Sequence, residues 1–408
     1  MKQGAFTICA KNYLAQALSL KESFLAKNSE SNFYIFLSDK NTEDVKTEVI
    51  ELNNEWIPDW EDMAYKYGVV EFSTAIKPFC IQKLFKEGYD KVIYLDPDIY
   101  VTSKLTYIWD LLDEKSAIIT PHYCKMQVDY KGTTTEEELL FVGIFNLGFC
   151  ALRNNEIGVN IANWWANRLR DKCYYDKEDA LHVDQKWMDF LPAFYPNDVE
   201  VCRHPGVNTA IWNLHERELI YKEGHYSIKY TDEEKEYDLL FYHFSGFDPF
   251  NKSVFNRRLP KYNINDFPSF KPIIDEYVGA EYRNGYEHYS KLTYSYNNYD
   301  NGEKITRLQR RLYRTLTRNN KFSNPLSCSG EYYSLLKKNK LLANVSGNTY
   351  SKPSSSDYQK QGRLSSIIKK CLKQLERLFG VRRYSAFLDI LKAVSRLENQ
   401  EFLVSNKK

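Results

Sequence analysis

The sequence predicts an α/β protein built on a mixed, mostly parallel sheet flanked by helices, with a helical C-terminal extension. Short apolar strands alternate with helical patterns from the start of the chain, with strands at 4–10 and 33–39 and a helix between them. A helix at 76–87 is followed by Gly88, a residue type that commonly ends helices, and then by the apolar strand KVIYL at 91–95. This alternation is typical of a parallel sheet whose crossovers are helices.

The later strands and helices set the expected domain boundaries. The same patterns predict strands at 117–120, 149–153 and 239–244 and helices at 161–170 and 183–191. We therefore expect an α/β domain at 1–255, an aromatic-rich, mostly helical extension at 256–343, a flexible serine-containing linker at 344–362 and a basic amphipathic helical tail at 363–408.

Composition excludes several classes of protein. The 56 basic and 54 acidic residues nearly balance, and 11 of the basic residues lie in 363–408 against 4 acidic ones, so the rest of the chain is net acidic. A net acidic main domain argues against binding of nucleic acid. The longest apolar run, at 141–152, is shorter than the roughly 18 to 20 residues of a membrane helix, and the start lacks a secretory apolar region. We expect a cytoplasmic protein.

The eight cysteines form no C-x-x-C pair, so neither a zinc site nor a disulfide framework is expected. In the tail, apolar residues recur at helical spacing among lysines and arginines, and Gly380 is expected to end the first of two helices. The tail is either a helical hairpin that packs on the rest of the chain or on a second copy, or an amphipathic anchor in peripheral contact with the inner face of the membrane.

The segment YLDPDIYV at 94–101 carries the strongest chemical signal. A buried strand delivers Asp96 and Asp98 at its carboxyl end, where ligands bind in open α/β sheets. Two carboxylates at this spacing can hold a divalent cation and leave positions open for substrate phosphates. The alternative is a solvated turn in which an aspartate caps the next helix.

A second strand ends on His243 in the segment HFSG. This imidazole could complete a cation site with two carboxylates, and Gly246 could let the backbone approach a phosphate. A histidine at the end of a strand also serves a purely structural role in many proteins.

Four motifs in sequence order carry a resemblance to a known family. They are YDKVIYLDPDIYV at 89–101, FNLGFCALR at 145–153, HVDQKW at 182–187 and HFSG at 243–246. The sequence resembles the retaining glycosyltransferases of family 8, which have the Rossmann-like GT-A fold, and their bacterial relatives. The resemblance covers about residues 4–255, and the segment at 296–313 resembles an extension of the bacterial relatives.

The resemblance implies roles for particular side chains. Asp96, Asp98 and His243 would hold Mn²⁺ or Mg²⁺ on the diphosphate of a nucleotide sugar. Asp184 and Gln185 would be catalytic, with Asp184 on the hydroxyls of the donor sugar and Gln185 at the face of the anomeric carbon. The donor-binding residues would be Ala10, Asn12, Tyr13, Lys77, Asp96, Asn146, Gly246 and Lys252. Asp184 is also a reasonable first-turn residue of a helix, and Lys77 a solvated helix-start lysine.

The sequence departs from the family at one position. The histidine motif of the metal-dependent members continues H-x-x-G-x-x-K, and Pro249 stands here at the place of the lysine. Lys252 could replace it, and the difference suggests a sister family.

Two further clusters allow two interpretations each. Five arginines between 307 and 318 share a helical face that could meet an anionic acceptor or form a solvated surface. The tyrosines between 277 and 299 could line a sugar-acceptor groove or simply pack together.

The resemblance implies a transfer of a hexose from a nucleotide sugar, with a UDP-sugar as the expected donor, to a hydroxyl of a glycan or lipid-linked acceptor in bacterial surface polysaccharide synthesis. One alternative is a sugar nucleotidyltransferase, although the loop CAKNYLAQ at 9–16 lacks the glycine-rich phosphate loop that such an enzyme needs. The other is a non-catalytic glycan-binding protein on a decayed transferase fold.

Overall fold

The protein divides into two compact units, Met1–Ser295 and Tyr296–Lys408. The computed structural model describes residues 1–126, 128–130, 132–251, 255–256, 262–318, 321–343 and 355–404. The division after residue 295 differs from the boundary at 255 that the sequence suggested.

The strands of the described residues all lie in the first unit. They are β1 Gln3–Cys9, β2 Asn32–Leu37, β3 Ile50–Glu51, β4 Lys91–Leu95, β5 Ile99–Val101, β6 Ala117–Pro121, β7 Phe145–Arg153, β8 Tyr175–Asp176, β9 Leu181–His182, β10 Val199–Val201, β11 Thr209–Ala210, β12 Arg217–Lys222, β13 His225–Tyr230, β14 Tyr237–Asp238 and β15 Phe241–His243.

The main sheet has seven strands in the order β10-β6-β7-β4-β1-β2-β3. The pairs β1–β2, β1–β4, β2–β3 and β6–β10 are parallel, and β7 runs antiparallel to both β4 and β6. The predicted mixed, mostly parallel sheet is therefore confirmed. Every residue of β4 is buried, because helices cover both faces of a central strand in such a sheet.

Smaller sheets lie beside the main one. β11, β15 and β5 form a three-stranded sheet, in which β15 pairs parallel with β11 and antiparallel with β5. β12, β13 and β14 form an antiparallel meander, and β8 pairs with β9. The sheet of β11, β15 and β5 matters most for function because it sets the position of His243 opposite Ile99.

The helices of the first unit cover the sheet. The second unit consists mainly of helices. The helices of both units are α1 Leu14–Lys27, α2 Trp60–Lys66, α3 Val69–Ala75, α4 Lys77–Lys86, α5 Thr106–Glu114, α6 Glu136–Val142, α7 Glu156–Lys172, α8 Leu191–Phe194, α9 Lys271–Arg283, α10 Tyr286–Tyr289, α11 Arg307–Leu316, α12 Glu331–Lys338 and α13 Ser355–Ser395. Gly88, with φ of 81°, follows the end of α4. The helix predicted at 183–191 is a 3-10 helix, Gln185–Phe190.

The start of the aromatic-rich extension belongs to the core of the first unit. Phe270 and Tyr277 share a buried cluster with Tyr242 and Phe244, and the rings of Phe244 and Tyr277 stack with their centroids 4.0 Å apart. The tyrosines at positions 277, 286, 289 and 294 are all at most 8% exposed. Burial of aromatic rings is strongly stabilising, so packing explains these four tyrosines, whereas Tyr282 is 39% exposed.

The second unit contains α11, α12 and α13. Arg310 and Arg311 of α11 are buried rather than solvated, and Arg311 pairs with Glu398 at 3.3 Å. α13 is interrupted at the predicted place, Gly380, whose φ is 75°. Of the predicted linker, residues 344–354 lie outside the described residues and 355–362 are helical. Among the described helices, none combines the length and apolarity needed to cross a membrane.

Candidate functional site

Asp96 and Asp98 lie in the turn between β4 and β5, at the carboxyl end of the main sheet. The Asp96 amide donates to the Gly148 carbonyl at 2.7 Å, and the Ile99 amide closes the turn on the Asp96 carbonyl at 3.1 Å. The Tyr94 hydroxyl donates to Asp96 Oδ1 at 2.5 Å. The strand therefore fixes the backbone of the turn, and its penultimate side chain orients one of the two carboxylates.

His243 meets these carboxylates from the neighbouring sheet. Its Nε2 lies 3.1 Å from Asp98 Oδ1 and 3.7 Å from Asp96 Oδ2. The contact follows from the pairing of β15 with β5, because the Phe244 amide donates to the Asp98 carbonyl at 2.8 Å. One possible ligand atom from each of these three side chains lies within 4.8 Å of the others.

The chemistry and exposure of this cluster fit a divalent cation. The imidazole is 4% exposed, whereas the carboxylates of Asp96 and Asp98 are 29% and 20% exposed, so the nitrogen lies at the base and the oxygens face outward. Burial lowers the pKa of His243, but the charges of Asp98 and then Asp96 outweigh it and raise the pKa overall. Carboxylate oxygens and an imidazole nitrogen are suitable ligands for Mn²⁺, and the carboxylate oxygens are suitable ligands for Mg²⁺.

Asp184 and Lys77 form a buried ion pair beside this cluster. Lys77 Nζ lies 2.6 Å from Asp184 Oδ2 and donates to the Leu147 carbonyl at 2.7 Å. The same Nζ lies 4.1 Å from the centre of the Tyr94 ring. Burial raises the pKa of Asp184, and the charge of Lys77 opposes that rise. Lys77 is thus not a solvated helix-start residue, and its contact through Tyr94 joins the pair to Asp96.

Gln185 begins a 3-10 helix directly after this pair. Its Nε2 donates to the Val142 carbonyl at 2.8 Å, which fixes the direction of the amide. Val183, two residues earlier, has φ of 41°, in the left-handed region that β-branched residues rarely adopt. Strained backbone of this kind clusters at functional sites, where the surrounding structure holds it in place.

The loop expected to hold the nucleotide follows β1. Ala10 is buried, Asn12 is half-buried and Tyr13 is 40% exposed. Lys11 Nζ between them donates to Ser295 Oγ at 2.7 Å and lies 3.9 Å from Asp39 Oδ2. The structure thus leaves the Tyr13 ring accessible and uses Lys11 to tie the loop to its own unit.

The remaining predicted residues differ in their surroundings. Asn146 is half-buried, and its Oδ1 accepts from the Gly148 amide at 3.1 Å. Gly246 has φ of 69°, and a Cβ there would lie 2.8 Å from Asn256 Nδ2, so the turn itself requires glycine. Lys252, expected at the phosphate, lies outside the described residues.

The sequence reasoning missed two residues, one in contact with His243 and one in contact with Asn146. Asn208 Oδ1 lies 3.1 Å from His243 Nδ1, and His122 Nε2 lies 3.4 Å from Asn146 Nδ2. Neither residue belongs to one of the quoted motifs. Asn208 has φ of 53°, and an asparagine followed by a strand carries no sequence pattern that would have singled it out.

The chain is similar to known proteins in sequence and in structure. No family model matches the chain. The chain is 25% identical over 256 residues to YfnF, an uncharacterized protein of Bacillus subtilis strain 168, which is 59% of this chain and 80% of that protein. Over 138 residues it is 30% identical to YfnD of the same organism, covering 33% of this chain and 42% of that protein.

Among solved structures, the chain is similar to the galactosyltransferase LgtC in complex with donor and acceptor sugar analogues. The identity is 16% and the TM-score 0.42, over 68% of this chain and 95% of that chain. It is also similar to mouse xyloside xylosyltransferase 1, at 13% identity and a TM-score of 0.36, over 60% and 98% of the two chains.

Proposed function

We propose that the chain is a metal-dependent glycosyltransferase of the GT-A fold. It moves a hexose from a nucleotide sugar, a UDP-sugar, to a hydroxyl of a glycan or glycolipid acceptor in bacterial surface polysaccharide synthesis, with retention of configuration. The observation that carries the proposal is the cluster of Asp96, Asp98 and His243 at the carboxyl end of the sheet, with a buried lysine–aspartate pair beside it.

Asp96, Asp98 and His243 would hold Mn²⁺ or Mg²⁺. A cation at this place supplies positive charge to the leaving nucleoside diphosphate. The arrangement of the side chains supports this role, because the outward-facing carboxylates leave the solvent side open to phosphate oxygens.

The buried pair would serve the donor sugar. Lys77 holds the Asp184 carboxylate in one orientation and offsets the cost of burying its charge. The buried carboxylate thus stays anionic and could accept hydrogen bonds from sugar hydroxyls. Gln185, whose amide is fixed by the Val142 carbonyl, would lie at the reacting face of the sugar. The acceptor hydroxyl then attacks from the side on which the diphosphate leaves.

The tail would bring the enzyme to a lipid-linked acceptor. Leu378, Phe379 and Val381 beside the Gly380 break are between 54% and 75% exposed. Arg377, Arg382 and other basic residues of α13 are exposed on the same helix. Exposed apolar side chains among basic ones suit the surface of a membrane that contains anionic lipids.

A donor screen tests the proposed reaction. Purified chain is incubated with Mn²⁺ and a panel of nucleotide sugars, and released nucleoside diphosphate is measured for the wild type, Asp98→Ala and Asp110→Ala. Asp110 is an exposed aspartate of α5 and controls for the loss of a carboxylate elsewhere. We expect release from one donor, lost in Asp98→Ala and kept in Asp110→Ala.

Binding of UDP, measured by calorimetry with and without Mn²⁺, separates the alternatives. Binding that requires Mn²⁺ and Asp98 supports the transferase even where hydrolysis awaits an acceptor. A chain that binds glycan but no nucleotide would be the decayed, non-catalytic protein. Conversion of a sugar phosphate and UTP to a nucleotide sugar would instead identify a nucleotidyltransferase.

A further inference from the structure

We propose that Asn208 and Asn146 are positioning residues that keep a proton on Nδ1 of His243, so that Nε2 presents its lone pair to the cation. The inference rests on the metal site of the proposed function and names residues that set its geometry. It follows from a chain of hydrogen bonds whose two ends are backbone groups, and the direction of every link in it can be worked out from those ends.

The first end is the Gly148 amide, which can only donate. It lies 3.1 Å from the atom of Asn146 that faces it. That atom must accept, so it is the amide oxygen Oδ1 and not the nitrogen. The orientation of the Asn146 side chain is therefore fixed by the main chain of its own strand.

The second link passes this direction to Asn208. Its Nδ2 lies 3.0 Å from Asn146 Oδ1 and donates to it, because two oxygens would repel. The other side-chain atom, Oδ1, then faces His243 Nδ1 at 3.1 Å. An amide oxygen only accepts, so Nδ1 must carry a proton.

The hydrogen bonds on the other side of Asn146 agree with this direction. Asn146 Nδ2 faces Nε2 of His122 at 3.4 Å, which requires a lone pair on that nitrogen. The proton of His122 then lies on Nδ1, 2.9 Å from the Ile144 carbonyl, which can only accept. Burial lowers the pKa of His122 to about 4, which is consistent with a neutral ring.

Burial keeps water from replacing these hydrogen bonds. Asn208 is 1% exposed, His243 3% and His122 6%. The edge of the His243 ring is also fixed by Trp212, whose ring centroid lies 5.1 Å away. Partners of this kind, one step behind a metal ligand, commonly change metal affinity 10- to 100-fold when they are removed.

Two substitutions of Asn208 isolate the hydrogen bond to Nδ1. Asn208→Gly deletes the side chain without backbone strain, because glycine tolerates the φ of 53°. Asn208→Asp keeps an oxygen for the Nδ1 proton, and aspartate also tolerates this backbone region. Asn155→Ala is the matched control, because Asn155 is a half-buried asparagine that accepts from the Gly158 amide at 2.9 Å at the start of α7.

Mn²⁺ affinity of the full chain is measured by calorimetry, with thermal unfolding as the check on folding. We expect about a 10-fold or greater loss in Asn208→Gly, a smaller loss in Asn208→Asp, whose second carboxylate oxygen would face Asn146 Oδ1, and no change in Asn155→Ala. Wild-type affinity in a folded Asn208→Gly variant would overturn the proposal. Equal losses in the Gly and Asp variants would also overturn it, since aspartate keeps the oxygen that faces Nδ1.

A spectroscopic readout tests the proton directly. Nitrogen-15 NMR of histidine-labelled chain with bound Mg²⁺, assigned with His243→Gln, should show the His243 proton on Nδ1. A ring without a proton on Nδ1 would contradict the inference. If the chain binds neither Mn²⁺ nor Mg²⁺, the metal site of the proposed function is refuted, and the same spectrum of the neutral ring still decides where the proton lies.

Discussion

Lys77 and Asp184 face each other inside the first unit, with Nζ 2.6 Å from Oδ2 and neither side chain more than 3% exposed. Trp165 Nε1 also donates to the Asp184 carbonyl at 3.1 Å. Because very little solvent reaches the pair, each charge depends on the other for its stabilisation.

Removal of one partner of this pair is expected to destabilise the protein strongly. Lys77→Met and Asp184→Leu should each lower the free energy of unfolding by about 3–5 kcal/mol, because an uncompensated charge stays buried. The double variant should lose less than the sum of the two. Urea unfolding of the four proteins gives the coupling energy.

The surface pair of Lys83 on α4 and Glu87 directly after it is the control, with Nζ 2.6 Å from Oε1 and the carboxylate 41% exposed. Lys83→Met should change stability by less than about 1 kcal/mol. Additive effects at positions 77 and 184 would show that the two charges do not interact.

Gly148→Ala is expected to disturb the candidate metal site without unfolding the chain. A Cβ at this position would lie 2.3 Å from His243 Cε1 and 2.9 Å from Asn146 Oδ1. The imidazole must move, and Trp212 limits where it can go. We expect Mn²⁺ affinity to fall by about 10-fold or more, whereas Gly362→Ala, where a Cβ meets nothing within 4 Å, leaves it unchanged.

Glu281 is expected to make stability depend on pH. Burial, and then the charges of Asp98 and Asp248, raise its pKa to about 8, although a hydrogen bond from Tyr277 opposes the rise. Its Oε2 has no hydrogen-bond partner among the described residues. Between pH 4.5 and 8 the folded state binds more protons than the unfolded state, so stability falls as pH rises through this range.

Glu281→Gln should remove the loss of stability between pH 4.5 and 8. In the absence of metal, the melting temperature of the variant should exceed that of the wild type above pH 8, and the difference should narrow towards pH 4.5. Each unit of elevated pKa corresponds to about 1.4 kcal/mol. Glu287→Gln, at an exposed position of α10, should show no such trend, and a constant difference for Glu281→Gln would contradict the prediction.

The tail is expected to bind anionic membranes. Flotation with vesicles of phosphatidylcholine and phosphatidylserine should recover the wild type, and less of a Leu378→Ser, Phe379→Ser, Val381→Ser variant. Val70→Ser in the first unit, 62% exposed, serves as the control for loss of an exposed apolar residue. Equal recovery of all three proteins would contradict the tail's role.

The sequence predicted the parts of the site that local patterns encode. Asp96 and Asp98 follow a run of apolar residues, and His243 ends another, so their places at strand ends could be predicted. The partner of Lys77 could not, because Asp184 is far away in the chain and no local pattern links the two. Asn208 was missed for the same reason, since its role depends on the pairing of β11 with β15.

The extension shows a similar limit. Its tyrosines are visible in the sequence, but only contacts such as the packing of Tyr277 on Phe244 assign the start of the extension to the core of the first unit. The boundary at residue 255 was placed where the strand pattern ends. A core is defined by contacts between distant segments, and those contacts continue to the end of α10.

The three-stranded sheet of β11, β15 and β5 has a thermodynamic consequence. It pairs His243 with Ile99 on one side and with Ala210 on the other, so main-chain hydrogen bonds hold the imidazole and the turn with Asp98 in register. The conformational entropy of these ligands is therefore lost when the chain folds and not when a cation arrives. Such preorganisation raises affinity, because the ordering cost is not paid again on binding.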